Sequence, residues 1–244
     1  MVYIHCRSFL ANNNYYIKIP YLNQIKRRDN LKAIIFDMDG VIIDSEPLHL
    51  ELEKKLLEEL GGKITPEELQ DFVGTTDYYM WSTFKNKFNI KNSIEEMIAM
   101  KKERFLQNIH KISLVDNFEE FMLTVHSKGY LLGLASSNNR KAVNSIIKKF
   151  NLDKYLEFII SGEEVSKGKP DPEIFLTAAN KMNVKPHECL VIEDATNGVK
   201  AAKSAGMKCI GLKNPNSGNQ DLSQADLIID NFNELTLETI SKLF

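Results

Sequence analysis

The 244-residue chain is short of cysteine, has a single tryptophan and carries almost no net charge. Its cysteines, Cys6, Cys189 and Cys209, are far apart and form no Cys-x-x-Cys pair, which argues against a disulfide framework and against a zinc knuckle. A reducing compartment fits. No stretch approaches the roughly 18 consecutive apolar residues of a membrane helix, and the N-terminus lacks the basic-then-apolar pattern of a secretory leader. A cytoplasmic protein without a membrane partner is therefore expected. With 31 Lys and Arg against 33 Asp and Glu, nothing draws the whole molecule toward nucleic acid. The expected partner is a small molecule, and the expected state is a monomer.

What is present centres on Leu31 to Glu46, L-K-A-I-I-F-D-M-D-G-V-I-I-D-S-E. The run Ala33 to Phe36 is apolar at every position, as in a strand buried on both faces. It ends in two carboxylates, Asp37 and Asp39, followed by Gly40, which permits a tight turn. Residues 1–30, where Asn12, Asn13 and Asn14 interrupt two aromatic-aliphatic stretches, read as an N-terminal extension, a flexible tail being favoured over a structured arm.

After the first strand the spacing predicts a helix from Pro47 to Leu60, with leucines four apart and Gly61-Gly62 as a stop. Thr65-Pro66-Glu67-Glu68 and Ser93 with Glu96 each have capping-box spacing, the second before a helix running to about Ile109. No strand pattern occurs between Pro47 and His110, so this stretch is an all-helical insertion. From Phe118 onward short apolar runs alternate with helical patterns, the signature of βαβ units. Strands are expected at 130–135, 158–160, 189–192, 208–212 and 227–229. The fold class is α/β: a doubly wound, mostly parallel, Rossmann-like sheet with a small helical domain inserted after the first strand. The boundaries are an extension at 1–30, a core at 31–44 and 113–244, and the helical insertion at 45–112.

In such a sheet ligands bind beyond the carboxyl ends of the strands. Those ends carry Asp37 and Asp39, Ser136-Ser137-Asn138, and Glu193-Asp194, with the loop Lys167-Gly168-Lys169-Pro170-Asp171-Pro172 between the last two. Clustered carboxylates raise each other's pKa unless a cation holds them. Mg²⁺ takes such oxygen ligands and leaves positions for water and phosphate, and a hydroxyl and an ammonium beside it would complete a clamp for phosphoryl oxygens. Each piece has a plainer reading: Ser136 as a turn or cap residue, Glu193-Asp194 as a helix N-terminus, Lys169 as a loop charge. A calcium loop beginning at Asp37 is disfavoured, because Val41 stands where an oxygen ligand belongs and Gly40 comes two residues early.

The segments F-D-M-D-G-V-I-I-D-S-E, L-A-S-S-N, K-G-K-P-D-P-E-I-F and V-I-E-D-A-T-N-G-V occur in that order. With them the chain, from about Lys32 to its end, resembles the haloacid dehalogenase-like phosphohydrolases, in the group of β-phosphoglucomutase and small sugar-phosphate phosphatases. The resemblance implies Asp37 as the nucleophile that forms an aspartyl-phosphate and Asp39 as the general acid and base. It implies phosphate contacts from Ser136, Ser137, Asn138 and Lys169. It implies Mg²⁺ held by Asp37, Asp194 and the main-chain carbonyl of Asp39, with Glu193 in support. The helical insertion would be a cap, with His49, Thr75, Thr76 and Asp77 facing the substrate; His49 also reads as a helix-surface residue. An acid at Asp39 points to phosphoryl rather than carbon–halogen chemistry. Asp77 falls where the mutase has a phosphate-binding arginine, which favours a phosphatase of a small phosphorylated metabolite over a phosphomutase. Asp116-Asn117 replaces a Pro-Gly pair at the second hinge, and Asp116, with Glu119, reads as a helix N-cap. A catalytically silent binding scaffold is the remaining alternative.

Overall fold

In the computed structural model residues 30–244 are described in full, preceded by the backbone of β1 (Tyr3–Arg7) and β2 (Asn14–Lys18). These two strands pair antiparallel, with Tyr3 opposite Lys18 and Arg7 opposite Asn14. The rest of the N-terminal extension, including Asn12 and Asn13, lies outside the described residues. By its contacts the chain divides into Met1–Asn30 and Leu31–Phe244.

Within Leu31–Phe244, β3 (Ala33–Phe36) is buried at every residue. Strand alternation sends Ile34 and Phe36 to one face of the sheet, and Ala33 and Ile35 to the other. The chain then leaves through β4 (Ile43–Asp44) into four helices, α1 (Glu46–Glu59), α2 (Pro66–Gln70), α3 (Asp77–Phe88) and α4 (Ile94–Asn108). Both expected capping boxes form, at Thr65 with Glu68 and at Ser93 with Glu96. The helix α3 is not among the expected ones. Its Tyr, Trp, Thr and Phe residues have weak helix propensity, and it is held by packing Met80, Trp81 and Phe84 against Leu56, Leu57 and Met97. The return strand β5 (Ser113–Leu114) pairs antiparallel with β4, Ile43 opposite Leu114 and Asp44 opposite Ser113.

After β5 come α5 (Phe118–Ser127), β6 (Leu131–Ser136), α6 (Arg140–Phe150) and β7 (Phe158–Ser161). They are followed by α7 (Glu173–Lys181), β8 (Cys189–Glu193), α8 (Thr196–Ser204), β9 (Lys208–Leu212), β10 (Leu227–Ile229) and α9 (Leu237–Ser241). The six core strands form one parallel sheet in the order β10-β9-β8-β3-β6-β7. Phe118, Phe121 and Ile146 cover the face of Ile34 and Phe36, with the Phe36 and Phe118 rings edge to face at 5.3 Å. On the other face the small residues Ala178, Ala179, Ala201 and Ala202 let α7 and α8 pack closely on Ala33, Ile35 and Val191. Burial on both faces is why the strands read as continuous apolar runs. Among the described residues no helix is long and apolar enough to cross a membrane.

One expectation is corrected at the second hinge. The N-cap of α5 is Asn117, not Asp116, and no side chain caps the helix. Asn117 sits at φ 63°, a left-handed conformation that asparagine tolerates. Its Nδ2 donates to Asn231 Oδ1 at 3.0 Å, so the side chain braces the turn instead of capping the helix.

Candidate active site

The central strand β3 has β8 on one side and β6 on the other, so its end is the switch point of the sheet. The Asp37 N–H donates to the Ile192 carbonyl at 3.0 Å, which extends the ladder one residue and fixes the carboxylate at the sheet edge. The chain then turns through Gly40 at φ 77°, whose N–H donates to the Ile43 carbonyl at 2.7 Å. A Cβ on Gly40 would overlap the Asp194 carboxylate, so glycine here permits the close approach of the first acidic turn to the last one.

Lys169 reaches this edge from the loop before α7. Its Nζ donates to Asp37 Oδ1, to Glu193 Oε1 at 2.8 Å and to the Ala135 carbonyl at 3.2 Å, using all three ammonium protons. The ammonium also lies 4.9 Å from the centre of the Phe175 ring. Glu193 spends its second oxygen on the Ala195 N–H at 2.8 Å. Ser217 Oγ donates to Asp194 Oδ2. Asp37 Oδ2 and Asp194 Oδ1 receive no protein hydrogen bond among the described residues.

The electrostatics follow from this arrangement. Asp37, Glu193 and Asp194 are buried, and the Lys169 ammonium is bonded to the first two. Burial raises the Asp37 carboxyl to about 7, with Lys169 opposing the rise and Glu193 and Asp39 adding to it. Burial also lifts Asp194 well above the usual carboxylate range, reinforced by Glu193 and Asp37. Lys169 is held above the ordinary lysine value: burial opposes its charge, but Asp37 and Glu193 outweigh it. Asp39 is raised by burial, against the pull of its donors. Those donors are Ser45 Oγ, 2.5 Å from Oδ1, and Asn138 Nδ2 on Oδ2. Ser45 stands at the N-cap of α1 in a helical rather than extended conformation, makes no capping bond, and donates its hydroxyl to Asp39.

This donor set suits a hard divalent cation. All the free ligating atoms are oxygen, and the surplus of buried negative charge is what such an ion relieves. Among the described residues no group of three or more His, Cys, Asp and Glu side chains is gathered as a metal cluster.

A cavity of about 420 Å³ opens over these groups, lined among others by Asp37, Asp39, Lys169, Asp194, Thr75 and Ser137. It shares Glu46, Gly74, Thr75 and Thr76 with a second chamber of about 280 Å³ that also borders His49, Asp77, Lys101 and Asn138. The expected residues thus converge, with differences of detail. Ser136 is fully buried and its Oγ accepts from the Asn138 N–H at 3.1 Å, whereas exposed Ser137 lines the cavity. Asn138 bonds the Asp39 carboxylate. His49 stacks flat on Phe105 at 4.6 Å, and burial together with Lys101 lowers its pKa to about 3. Asp77 is paired with Lys101 at 2.6 Å. Ser45, Ser217, Lys101 and Glu46 are absent from the sequence-based list of candidates. Ser45 and Glu46 lie inside the opening motif and so were open to notice, while Ser217 sits in a loop without a recognisable pattern.

A parallel sheet that collects a lysine-braced set of carboxylates at its switch point defines a hydrolase of the acidic, phosphoryl-handling kind. Residues 34–212 match the haloacid dehalogenase-like hydrolase family, and the chain belongs to it. It is 33% identical over 183 residues to the phosphorylated carbohydrates phosphatase of Thermotoga maritima, covering 74% of this chain and 84% of that protein. It is 29% identical to the β-phosphoglucomutase of Bacillus subtilis, covering 86% and 94% of the two chains. The crystal structure of CbbY from Rhodobacter sphaeroides in complex with phosphate superposes with a TM-score of 0.74 at 26% identity, covering 84% of this chain and 96% of that one.

Proposed function

We propose that this phosphoric monoester hydrolase releases phosphate from a small phosphorylated sugar or sugar alcohol through an aspartyl-phosphate on Asp37. The observation that carries this is the state of the Asp37 carboxylate: buried, with Oδ1 held by Lys169 and Oδ2 without a protein partner. Oδ2 attacks phosphorus in line with the leaving oxygen. Asp39, oriented by Ser45 and Asn138, protonates that oxygen as the P–O bond breaks, and then takes a proton from the water that attacks the aspartyl-phosphate. This returns Asp37 as a carboxylate and Asp39 as an acid. Lys169 offsets the charge between Asp37 and Glu193 throughout. Mg²⁺, when bound, supplies neutralisation of the phosphoryl oxygens; Asp37, Asp194 and the Asp39 carbonyl would hold it, with Glu193 in support. The helical segment from α1 to α4 acts as the cap that excludes water.

Similarity to a β-phosphoglucomutase favours a second reading, conversion of a hexose 1-phosphate to the 6-phosphate. The first reading is preferred because Lys101, the cation that lines the second chamber, is already engaged by Glu53 and Asp77. The test is hydrolysis of an aryl phosphate by the full chain. It should require Mg²⁺ and be lost in Asp37→Asn; full activity in that variant would overturn the mechanism, and isomerisation without phosphate release would establish the mutase.

A further inference from the structure

Glu46 occupies the first turn of α1, directly after the serine that holds Asp39, and it borders both chambers of the cavity. It makes no hydrogen bond or ion pair among the described residues, unlike its charged neighbours. Lys101, from α4, is bonded to Glu53 of α1 and to Asp77 of α3, and those three together carry an excess of one negative charge. His49 is neutral against Phe105. The Thr75 hydroxyl donates to the Phe72 carbonyl at 2.7 Å and so spends its proton on the backbone, whereas the Thr76 oxygen accepts from the Tyr79 N–H at 3.2 Å and keeps its proton. Among the described residues that line it, the second chamber therefore offers mainly acceptors and negative charge, and Lys101, the ammonium there, is already paired. A group that enters it beside the phosphate is favoured when it brings hydrogen-bond donors, and a second anion there meets like charge.

We infer that Glu46 is the specificity-determining residue for the leaving group: its carboxylate accepts hydrogen bonds from the hydroxyls of a neutral polyol or sugar monophosphate and rejects a bisphosphate. The inference rests on the phosphatase reading above and adds what the site selects. The position of Glu46 suits this role, since it lies on the path from Asp39, which meets the leaving oxygen, to the chamber where the remainder of that group sits. Burial, with Glu53, Asp39 and Asp44 nearby, raises its pKa to about 7, so assays belong at pH 8, where the carboxylate is charged.

The experiment compares kcat/KM for a hexitol monophosphate, the matching hexitol bisphosphate and 4-nitrophenyl phosphate. It uses the full chain with Mg²⁺ as wild type, Glu46→Gln and Glu46→Ala, with folding checked by circular dichroism. The wild type should prefer the monophosphate to the bisphosphate. Glu46→Ala should lower the hexitol-to-aryl ratio by roughly tenfold, the loss expected when substrate hydroxyls lose a buried acceptor. Glu46→Gln, equal in size but uncharged, should narrow the discrimination against the bisphosphate by about the same factor. Ratios unmoved in both variants would overturn the assignment. An equal fall on hexitol and aryl substrates would overturn it too, because Glu46 would then act through Asp39 or through the fold. Absence of aryl phosphate hydrolysis by the wild type would instead remove the phosphatase reading, and this inference with it.

Discussion

If the Asp37 carboxyl titrates near 7 in the folded protein and near 3.8 when unfolded, the metal-free protein loses stability as pH rises. The folded state then keeps a proton that the unfolded chain has already released, so the contribution is fully present below about pH 4 and gone above about pH 7. The displacement from 3.8 to about 7 corresponds to roughly 4 kcal/mol at about 1.4 kcal/mol per pH unit. Asp37→Asn removes this titration while keeping the size of the side chain, and the broken bond to Lys169 cancels from the slope because the lysine stays charged throughout. Urea unfolding in the presence of a chelator, from pH 4 to 8, reads the effect as the difference between variant and wild type, together with the relief that Asp37→Asn gives to Asp194. Asp37→Asn should gain on the wild type steadily across that range, approaching 4 kcal/mol. Saturating Mg²⁺ should cut that gain at pH 8 by more than half, since an ion present at about 100 times its dissociation constant stabilises the wild type by about 2.7 kcal/mol. A difference that is flat or falls with pH would refute the description of the site as a set of crowded, buried carboxylates.

Two further substitutions probe the same centre. Lys169→Met leaves Asp37 and Glu193 without their shared ammonium, and should abolish turnover and lower stability by about 3–5 kcal/mol in urea unfolding; an unchanged midpoint would contradict this. Gly40→Ala places a Cβ against the Asp194 carboxylate in a left-handed backbone, and should cost about 1–3 kcal/mol and weaken Mg²⁺ binding in calorimetric titration. Wild-type affinity in that variant would mean the turn does not shape the metal site.

The central strand, the acids at its end and the order of the βαβ units were legible because their signals are local: continuous apolar runs, turn glycines and capping boxes three residues apart. The five later core strands lie within one residue of their expected spans. The misses have physical causes. The two-residue strands β4 and β5 are too short for periodicity and exist only because folding brings Ile43 beside Leu114. Helix α3 depends on burying Trp81 and Phe84 in the insertion rather than on propensity. Asn117 was misplaced because a left-handed turn and a capped helix start draw on the same residue types. At the site, Asp37, Asp39, Lys169 and Asp194 could be named from motifs. The partners that orient them, Ser45 and Ser217, could be assigned only once the β3 turn and the loop after β9 were seen to meet.

The pairing of β4 with β5 bears on how the helical segment could move. The chain passes between sheet and helices twice, but the two crossings are joined edge to edge into one ribbon, with Asp44 held by Asn216 at its start and Asn117 braced by Asn231 just beyond its end. Two covalent tethers therefore behave as a single mechanical joint. Such a joint resists sliding and lifting but yields to twist, so the helices would swing over the acids about one axis, like a door on one hinge. A cavity opened in that way would admit a ligand from the side opposite the ribbon.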